Sequence, residues 1–223
     1  MADCLRAALL GVEQTALANG ASIDGLARLS GGANMETWSF DWVRTTEIEP
    51  LILRRVPGQT LDFENAVGEL TLKDEAALID IAGRYGVPVP VVRLVLRPEH
   101  ALGQGYIMSR ERGEALPFRL LADDCYRDAR ERLAFQCGQT LGRIHKIPLE
   151  SLPEGLSDHS GVLLFQRAQE LLDTHGNLSP VLQLGLNWLR DRPRRDPLRT
   201  LVHGDFRNGN LLVDEDGLVA VLD

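Results

Sequence analysis

The segment that most constrains the fold lies at residues 201–223, where two short apolar runs flank an Asp-Gly turn. The runs cover residues 211–213 and 218–222. Asp-Gly between two such runs is a strong signal for a β-hairpin. A hairpin brings the end of its second strand back beside the start of its first strand. The sequence therefore predicts that Asn210 and Asp223, which flank the two strands, lie close together.

An acid and an amide precede this hairpin at a fixed spacing. His-Gly-Asp at positions 203–205 is followed by four residues and then by Asn210. Kinase catalytic loops use Asp, four residues and Asn to face the incoming hydroxyl and to hold magnesium. His-Gly-Asp alone is more often an ordinary turn, but its place before the hairpin favours a site. We predict Asp205 as the base or hydroxyl-positioning residue and Asn210 with Asp223 as Mg²⁺ ligands. His203 is interpreted as a residue that orients the loop backbone.

The motif resembles the aminoglycoside phosphotransferase-like family of small-molecule kinases. In that family the catalytic loop reads His-Gly-Asp, four residues and Asn, and the metal-binding Asp ends a strand similar to residues 219–223. Protein kinases carry Arg before the catalytic Asp, where this chain has Gly204. In protein kinases that Arg interacts with a phosphorylated activation loop. Gly204 at this place therefore argues against that mode of regulation and favours a metabolite kinase. The resemblance covers roughly residues 29–223. Residues 29–55 look closest to the branch related to kinase domains fused to acyl-CoA dehydrogenases, for which hydroxy-acyl substrates are implied.

The five strands predicted from apolar periodicity lie before residue 109, and the chain after them is mainly helical. The resemblance implies an α+β, bilobal, protein-kinase-like fold, with an N-terminal nucleotide-binding lobe over residues 1–108 and a mainly helical catalytic lobe over residues 109–223. The first lobe is expected to hold a five-stranded antiparallel sheet and a helix. Apolar periodicity predicts helices over residues 3–19, 73–85, 123–145, 163–174 and 180–190, and strands over residues 26–29, 35–43, 51–56, 91–96 and 105–108.

Small residues fill the loop between the first two strands, at positions 30–34. Glycines allow backbone N–H groups to approach phosphate oxygens closely. A pair of glycines is equally explained by a simple tight turn. In the family that the chain resembles, this loop contacts the phosphates, so the resemblance implies Gly31 and Gly32 as nucleotide-binding residues.

Two arginines end the third predicted strand, where kinases carry a Lys that pairs with the α- and β-phosphates. Alternation puts Arg54 and Arg55 on opposite faces of the sheet, so only one of them can face a nucleotide. We choose Arg54. The resemblance implies that Glu75 on the following helix anchors it, which predicts an Arg54–Glu75 ion pair. The alternative is two exposed arginines at a strand end and a surface Glu favoured by the helix dipole.

Residues directly after the fifth strand are further candidates. In the resembled family, backbone groups at this place bind the adenine edge. The resemblance therefore implies Ser109, Arg110 and Glu111 as nucleotide-binding residues through their main-chain atoms.

Composition narrows the class of partner. The net charge of −8 disfavours nucleic acid or an anionic membrane as the main partner. The three cysteines, Cys4, Cys125 and Cys137, are odd in number and lack metal-type spacing, which indicates reduced thiols in a cytoplasmic protein. No targeting or membrane-spanning segment is visible. The expected partner is a small-molecule substrate with a hydroxyl group.

The sequence thus predicts a kinase that uses ATP and Mg²⁺ to phosphorylate a hydroxyl of a small molecule. The alternative is a catalytically inactive nucleotide-binding or interaction module, which the Arg at the strand position favours. A third interpretation is an α/β domain that binds no nucleotide. Members of the resembled family continue after the metal-binding Asp with helices that shape the acceptor pocket. We therefore expect the second lobe to be incomplete: a fragment, a partly represented chain or a fold that a partner completes.

Overall fold

A computed structural model describes residues 1–12, 20–29, 35–57, 70–154, 156, 161–175, 180–192 and 199–222 of the chain. The helices there are α1 (Ala2–Val12), α2 (Leu72–Arg84), α3 (Pro117–Ala122), α4 (Arg127–Ile144), α5 (Gly161–His175) and α6 (Pro180–Arg190). The strands are β1 (Ser22–Leu29), β2 (Glu36–Val43), β3 (Ile48–Val56), β4 (Val92–Val95), β5 (Gln104–Ser109), β6 (Leu211–Asp214) and β7 (Gly217–Val221).

The strands form one sheet and one hairpin. β1 to β5 make an antiparallel five-stranded sheet in the order β1-β2-β3-β5-β4. β6 and β7 make a separate antiparallel pair. The sheet occupies the N-terminal part of the chain and α3 to α6 the C-terminal part. The fold is therefore α+β, consistent with the kinase-like fold expected from the sequence.

Alternation along β3 determines what covers each face of the sheet. Leu51 and Leu53 are fully buried in a core shared with β2 and α1. Ile52 points to the other face and packs with Ile79 of α2. Each such buried side chain contributes about 1.5–3 kcal/mol relative to exposure. The sheet is thus held between α1 and α2, which brings α2 against the face of β3 that carries Arg54.

β1 is longer than the sequence predicts. It begins at Ser22 instead of residue 26, and its first residues pair with the end of β2. The register shifts between Asp24 and Ala27, where Gly25 has a φ of 60°. This irregularity interrupts the period-2 pattern, which is why the sequence shows only the last part of the strand.

β3 also begins earlier than predicted, at Ile48 instead of residue 51. Pro50 lies inside the strand, opposite Asp41. Its carbonyl oxygen accepts the Arg110 N–H at 2.9 Å. The missing N–H of Pro50 is tolerated near the strand end, and the carbonyl still takes part in the ladder.

The C-terminal part contains a short helix, α3, that the sequence does not predict. The helix expected over residues 123–145 is α4, which begins later, at Arg127. α3 begins at Pro117, a residue suited to the first helical position. α6 has the bounds that the sequence predicts. In the part of the chain that the structure describes, no helix is long and apolar enough to cross a membrane.

A shared core joins the C-terminal end of α2 to the hairpin. Val87, in the segment that follows α2, packs with Ile144 of α4, Leu211 of β6 and Val221 of β7. The Val221 N–H donates to the Pro88 carbonyl oxygen at 2.8 Å. The C-terminal end of α2 is therefore fixed beside the hairpin that follows the His-Gly-Asp loop.

The backbones of β5 and β3 approach each other closely at Gly105, and a substitution there tests this contact. A Cβ at Gly105 would lie 2.8 Å from the Cα of Arg55 and would also collide with the Arg54 carbonyl oxygen. Gly105→Ala is expected to lower the free energy of unfolding by about 1–3 kcal/mol, because the strand must shift to admit the methyl group. The measurement is urea denaturation of the wild type and the variant.

Gly138→Ala provides the matched control, since nothing lies within 4 Å of its Cβ position in α4. It should raise the free energy of unfolding by up to about 1 kcal/mol through helix propensity. If Gly105→Ala were as stable as the wild type, the close approach of the two strands would be wrong.

Candidate active site

The carboxylate of Asp205 is held by two side chains that follow it in the loop. The Asn210 Nδ2 donates to the Asp205 carbonyl oxygen at 3.0 Å and to its Oδ2 at 2.9 Å. The Arg207 Nε lies 2.9 Å from Oδ1 and 3.0 Å from Oδ2. The Asp205 side chain is nevertheless 58% exposed. It has a defined direction and stays accessible to a ligand.

Asn210 is buried and its amide orientation is determined by its partners. Both acceptors on Asp205 are oxygens, so the atom that faces them is the amide nitrogen. This leaves Oδ1 of Asn210 as an oxygen ligand on the other side of the amide. An amide oxygen is a ligand that suits a hard cation such as Mg²⁺. No group of three His, Cys, Asp or Glu side chains is gathered for a metal within the described ranges.

His203 connects the loop to the end of the hairpin. The Asp205 N–H donates to His203 Nδ1 at 3.3 Å, so the ring hydrogen belongs on Nε2. That nitrogen lies 3.0 Å from the Leu222 carbonyl oxygen and donates to it. The ring also packs edge-on against Phe206, with centroids 5.5 Å apart. These contacts agree with the interpretation of His203 as a residue that orients the backbone.

The hairpin returns to the loop as predicted. Leu211 pairs with Val221, and the Leu222 N–H donates to the Asn210 carbonyl oxygen at 2.8 Å. Residue 222 is therefore opposite Asn210. Asp223 lies outside the described residues, so its place beside Asn210 stays a prediction.

The two arginines of β3 have different partners on opposite faces of the sheet. Arg55 donates from Nε to Glu36 Oε2 at 2.9 Å and from Nη1 to the Leu102 carbonyl oxygen at 3.1 Å. Arg54 Nη2 lies 3.3 Å from Glu75 Oε1, which is the expected ion pair. The side chains of Arg54 and Glu75 are 12% and 13% exposed. The alternative of exposed arginines and a surface glutamate is therefore wrong.

Tyr106 is a member of this cluster that sequence reasoning missed. Its hydroxyl donates to Glu75 Oε1 at 2.7 Å, and the residue is fully buried. Burial, followed by the charge of Glu75, raises the pKa of Tyr106, so the hydroxyl stays a donor. The sequence carried no local signal for this contact, because it depends on how β5 is aligned with β3.

The backbone of residues 109–111 is partly used inside the N-terminal sheet. The Ser109 N–H donates to the Val91 carbonyl oxygen and the Arg110 N–H to that of Pro50, both at 2.9 Å. The Ser109 hydroxyl donates to the Glu111 carboxylate. A ligand at this segment would therefore have to use the carbonyl oxygens or the N–H of Glu111, and not the N–H groups of Ser109 and Arg110.

The segment that follows β5 also lies against the hairpin. Glu114 and Val213 exchange backbone hydrogen bonds of 2.8 and 3.0 Å. A Cβ on Gly113 would lie 3.1 Å from the Cβ of Leu212. Leu212 alternates with the buried Leu211, so its side chain is on the face of β6 that meets residue 113. The strand alternation predicts the face on which Leu212 lies, but nothing in the sequence predicts that this face meets Gly113.

The structure thus places seven of the predicted residues in three groups and leaves three undescribed; one group is the segment of Ser109, Arg110 and Glu111. Asp205 and Asn210 are in contact, and Arg54 and Glu75 are in contact. The predicted residues Gly31, Gly32 and Asp223 lie outside the described ranges, and their roles stay predictions.

A comparison with known protein families agrees with these motifs. The family model that matches is described as the phosphotransferase enzyme family (APH), and it covers residues 26–223. The resemblance seen in the sequence is confirmed at this level. The closer relation to kinase domains fused to acyl-CoA dehydrogenases stays a prediction.

Glu36, the partner of Arg55, gives a pH-dependent contribution to stability. The hydrogen bond from the Trp38 indole, followed by that from Arg55, lowers the pKa of Glu36 below its ordinary value of 4.5. A lowered folded-state pKa stabilises the fold above the unfolded value, and this contribution is lost as the pH falls through the folded value. The unfolding free energy should therefore fall less between about pH 6 and about pH 3 in Glu36→Gln than in the wild type.

Trp38→Phe removes the larger cause of the shift and should give an intermediate pH dependence. The measurement is denaturant unfolding of all three proteins across this pH range. Parallel curves for the wild type and Glu36→Gln would contradict the assignment.

Proposed function

Because the chain belongs to the phosphotransferase enzyme family, we propose that it transfers the γ-phosphoryl group of ATP to a hydroxyl of a small molecule. Family membership indicates phosphotransferase activity, and ATP and the hydroxyl acceptor are the finer steps of the proposal. The observation that carries it is the Asp205–Asn210 pair, in which an exposed carboxylate is fixed by a buried amide.

Asp205 would act on the acceptor. The acceptor hydroxyl would lie against the exposed carboxylate, which takes its proton as the oxygen forms a bond to the γ-phosphorus. The bond from the γ-phosphorus to the β,γ-bridging oxygen breaks, and ADP is the leaving group. The hydrogen bonds from Asn210 and Arg207 keep the carboxylate in one orientation, which lowers the entropic cost of reaching the reactive geometry.

The donor set fits Mg²⁺, with Asn210 and, by the family pattern, Asp223 as the residues that would hold it. Mg²⁺ held there would supply positive charge that offsets the negative charge of the phosphates. The Nδ2 contact of Asn210 with Asp205 orients its amide, so that Oδ1 keeps the side opposite the carboxylate. His203 fixes the loop backbone to Leu222 and so determines where the two ligand-bearing segments meet.

The N-terminal part would hold the nucleotide. We propose a division of the chain into a nucleotide-binding lobe over residues 1–108 and a catalytic lobe over residues 109–223, with ATP between them. Arg54, anchored by Glu75, would contact the phosphates through its guanidinium, which keeps its positive charge and suits phosphate geometry. The glycines of the 30–34 loop would contribute backbone N–H groups to the same phosphates.

The adenine ring would lie against residues 109–111. The carbonyl oxygens there and the N–H of Glu111 are the groups proposed to bind its edge, because the N–H groups of Ser109 and Arg110 are used within the sheet. Leu212 of β6 would form an apolar floor below the ring, since it lies next to Gly113 at the end of the same segment.

The second candidate is a nucleotide-binding module without catalytic turnover. The observation in its favour is Arg54, which stands where kinases carry Lys. Arginine keeps the positive charge but replaces a compact ammonium with a planar fork, which changes how phosphates are positioned. A protein that binds Mg-ATP but phosphorylates no member of a panel of hydroxy acids, hydroxy-acyl thioesters and aminoglycosides would be this module.

Asp205→Asn separates catalysis from nucleotide binding. It should lower kcat at least about 100-fold, because the amide cannot accept the hydroxyl proton. The Kd for Mg-ATP should stay within about twofold of the wild type, because the base contacts the acceptor and not the nucleotide. Turnover is measured as ADP release with the best acceptor of the panel, and binding by calorimetry.

Asp216→Asn makes the same chemical change in the exposed turn of the hairpin and should leave turnover unchanged. Full activity in Asp205→Asn would show that another group serves as the base. A wild-type protein with no calorimetric or thermal response to Mg-ATP would exclude both candidate functions, since a ligand of the native state raises its stability.

A further inference from the structure

We propose that Tyr106 is a positioning residue of the nucleotide site, the third member of a Tyr106–Glu75–Arg54 triad that fixes the direction of the Arg54 guanidinium. This inference rests on the proposed function, because it assigns the triad to the binding of nucleotide phosphates. It adds a residue that neither the motifs nor the family match points to.

The register of the sheet places the three side chains together. Tyr106 of β5 lies directly opposite Arg54 of β3. Directly opposed residues of antiparallel strands project from the same face of a sheet. That face is covered by α2, which carries Glu75 in its first turn. Glu75 Oε1 therefore receives the Tyr106 hydroxyl at 2.7 Å and lies 3.3 Å from Arg54 Nη2.

The tyrosine hydroxyl restrains the carboxylate that orients Arg54. A Glu side chain has several rotatable bonds, and a guanidinium can meet a carboxylate in more than one geometry. A second, short hydrogen bond to the same oxygen removes much of this freedom. Because Tyr106 is fully buried, its ring cannot move aside without opening the core between the sheet and α2. The triad thus holds Arg54 in one direction before a nucleotide arrives.

The phenol ring and its hydroxyl have separable roles. The ring packs with Ile52, Ala76, Ile79 and Met108, and a phenylalanine would keep these contacts. Tyr106→Phe therefore removes the restraint on Glu75 while it preserves the shape of the core. A loss of phosphate binding in this variant would come from the missing hydroxyl.

The test compares ligands with and without phosphates by isothermal titration calorimetry. In Tyr106→Phe, the Kd values for Mg-ATP and Mg-ADP should rise about tenfold, the order expected when a hydrogen bond to a charged group is lost. The Kd for adenosine should not change, because adenosine has no phosphate for Arg54 to contact. Tyr85→Phe, at the exposed C-terminal end of α2, is the matched control and should bind all three ligands as the wild type does.

A double-mutant cycle shows whether Tyr106 acts through Glu75. Glu75→Gln alone should also weaken Mg-ATP and Mg-ADP but not adenosine. In the Glu75→Gln background, adding Tyr106→Phe should change the Kd for Mg-ATP less than about twofold, because the link to Arg54 is already broken. Independent, additive effects of the two substitutions would overturn the triad.

The remaining outcomes separate the inference from the proposed function. A wild-type protein that does not bind Mg-ATP contradicts the proposed function and the role of the triad with it. A wild type that binds Mg-ATP, with Tyr106→Phe unchanged for all ligands or weakened equally for adenosine, overturns the triad alone. If Tyr106→Phe does not fold, the test uses Glu75→Gln, which keeps the tyrosine. Equal binding of Mg-ATP to this variant and to the wild type overturns the inference.

Discussion

The hydrogen bond from the Leu222 N–H to the Asn210 carbonyl oxygen is the contact on which the geometry of the site depends. It closes the hairpin on the loop that carries Asp205, and His203 reinforces it by bonding to both sides. A backbone closure of this kind fixes the loop without using the side chains needed for chemistry. The carboxylate and the amide oxygen are therefore left for the proposed contacts with a substrate and a cation. The same hairpin packs against the segment that follows α2, so the loop and the end of α2 share one core.

β3 shows how one strand serves both stability and the proposed chemistry. Its two arginines follow each other in sequence, and the pleat sends them to opposite faces. Arg55 ties β3 to β2 and to the loop before β5 through Glu36 and Leu102. Arg54 lies on the other face and meets Glu75 of α2. The division explains why two adjacent cations are not redundant: one holds the sheet, and the other is oriented toward the proposed phosphate site.

The sequence predicted the parts that local patterns encode. The hairpin followed from an Asp-Gly turn between apolar runs, and the opposite faces of Arg54 and Arg55 followed from strand alternation. The contacts that it did not predict join residues far apart in the chain. Tyr106 meets Glu75 only because β5 pairs with β3 in one register, and Leu212 meets Gly113 only because β6 lies beside the segment that follows β5. Strand pairing over such separations has no period in the sequence. The start of β3 was predicted too late for a related reason. Whether the missing N–H of Pro50 excludes it from a strand depends on the strands beside it, and the sequence does not show these.

The central claim is that groups from both parts of the chain surround one metal–nucleotide complex. Its most direct test is NMR of the labelled protein with Mn-ATP in place of Mg-ATP, since Mn²⁺ broadens the signals of nearby nuclei. The Asn210 side-chain amide and the Arg54 Nε–H signals should both broaden more strongly than the side-chain amides of Gln169 and Gln183 on α5 and α6. If Mn-ATP binds and the signals of Asn210 and Arg54 are not both broadened, the account of a shared site is wrong.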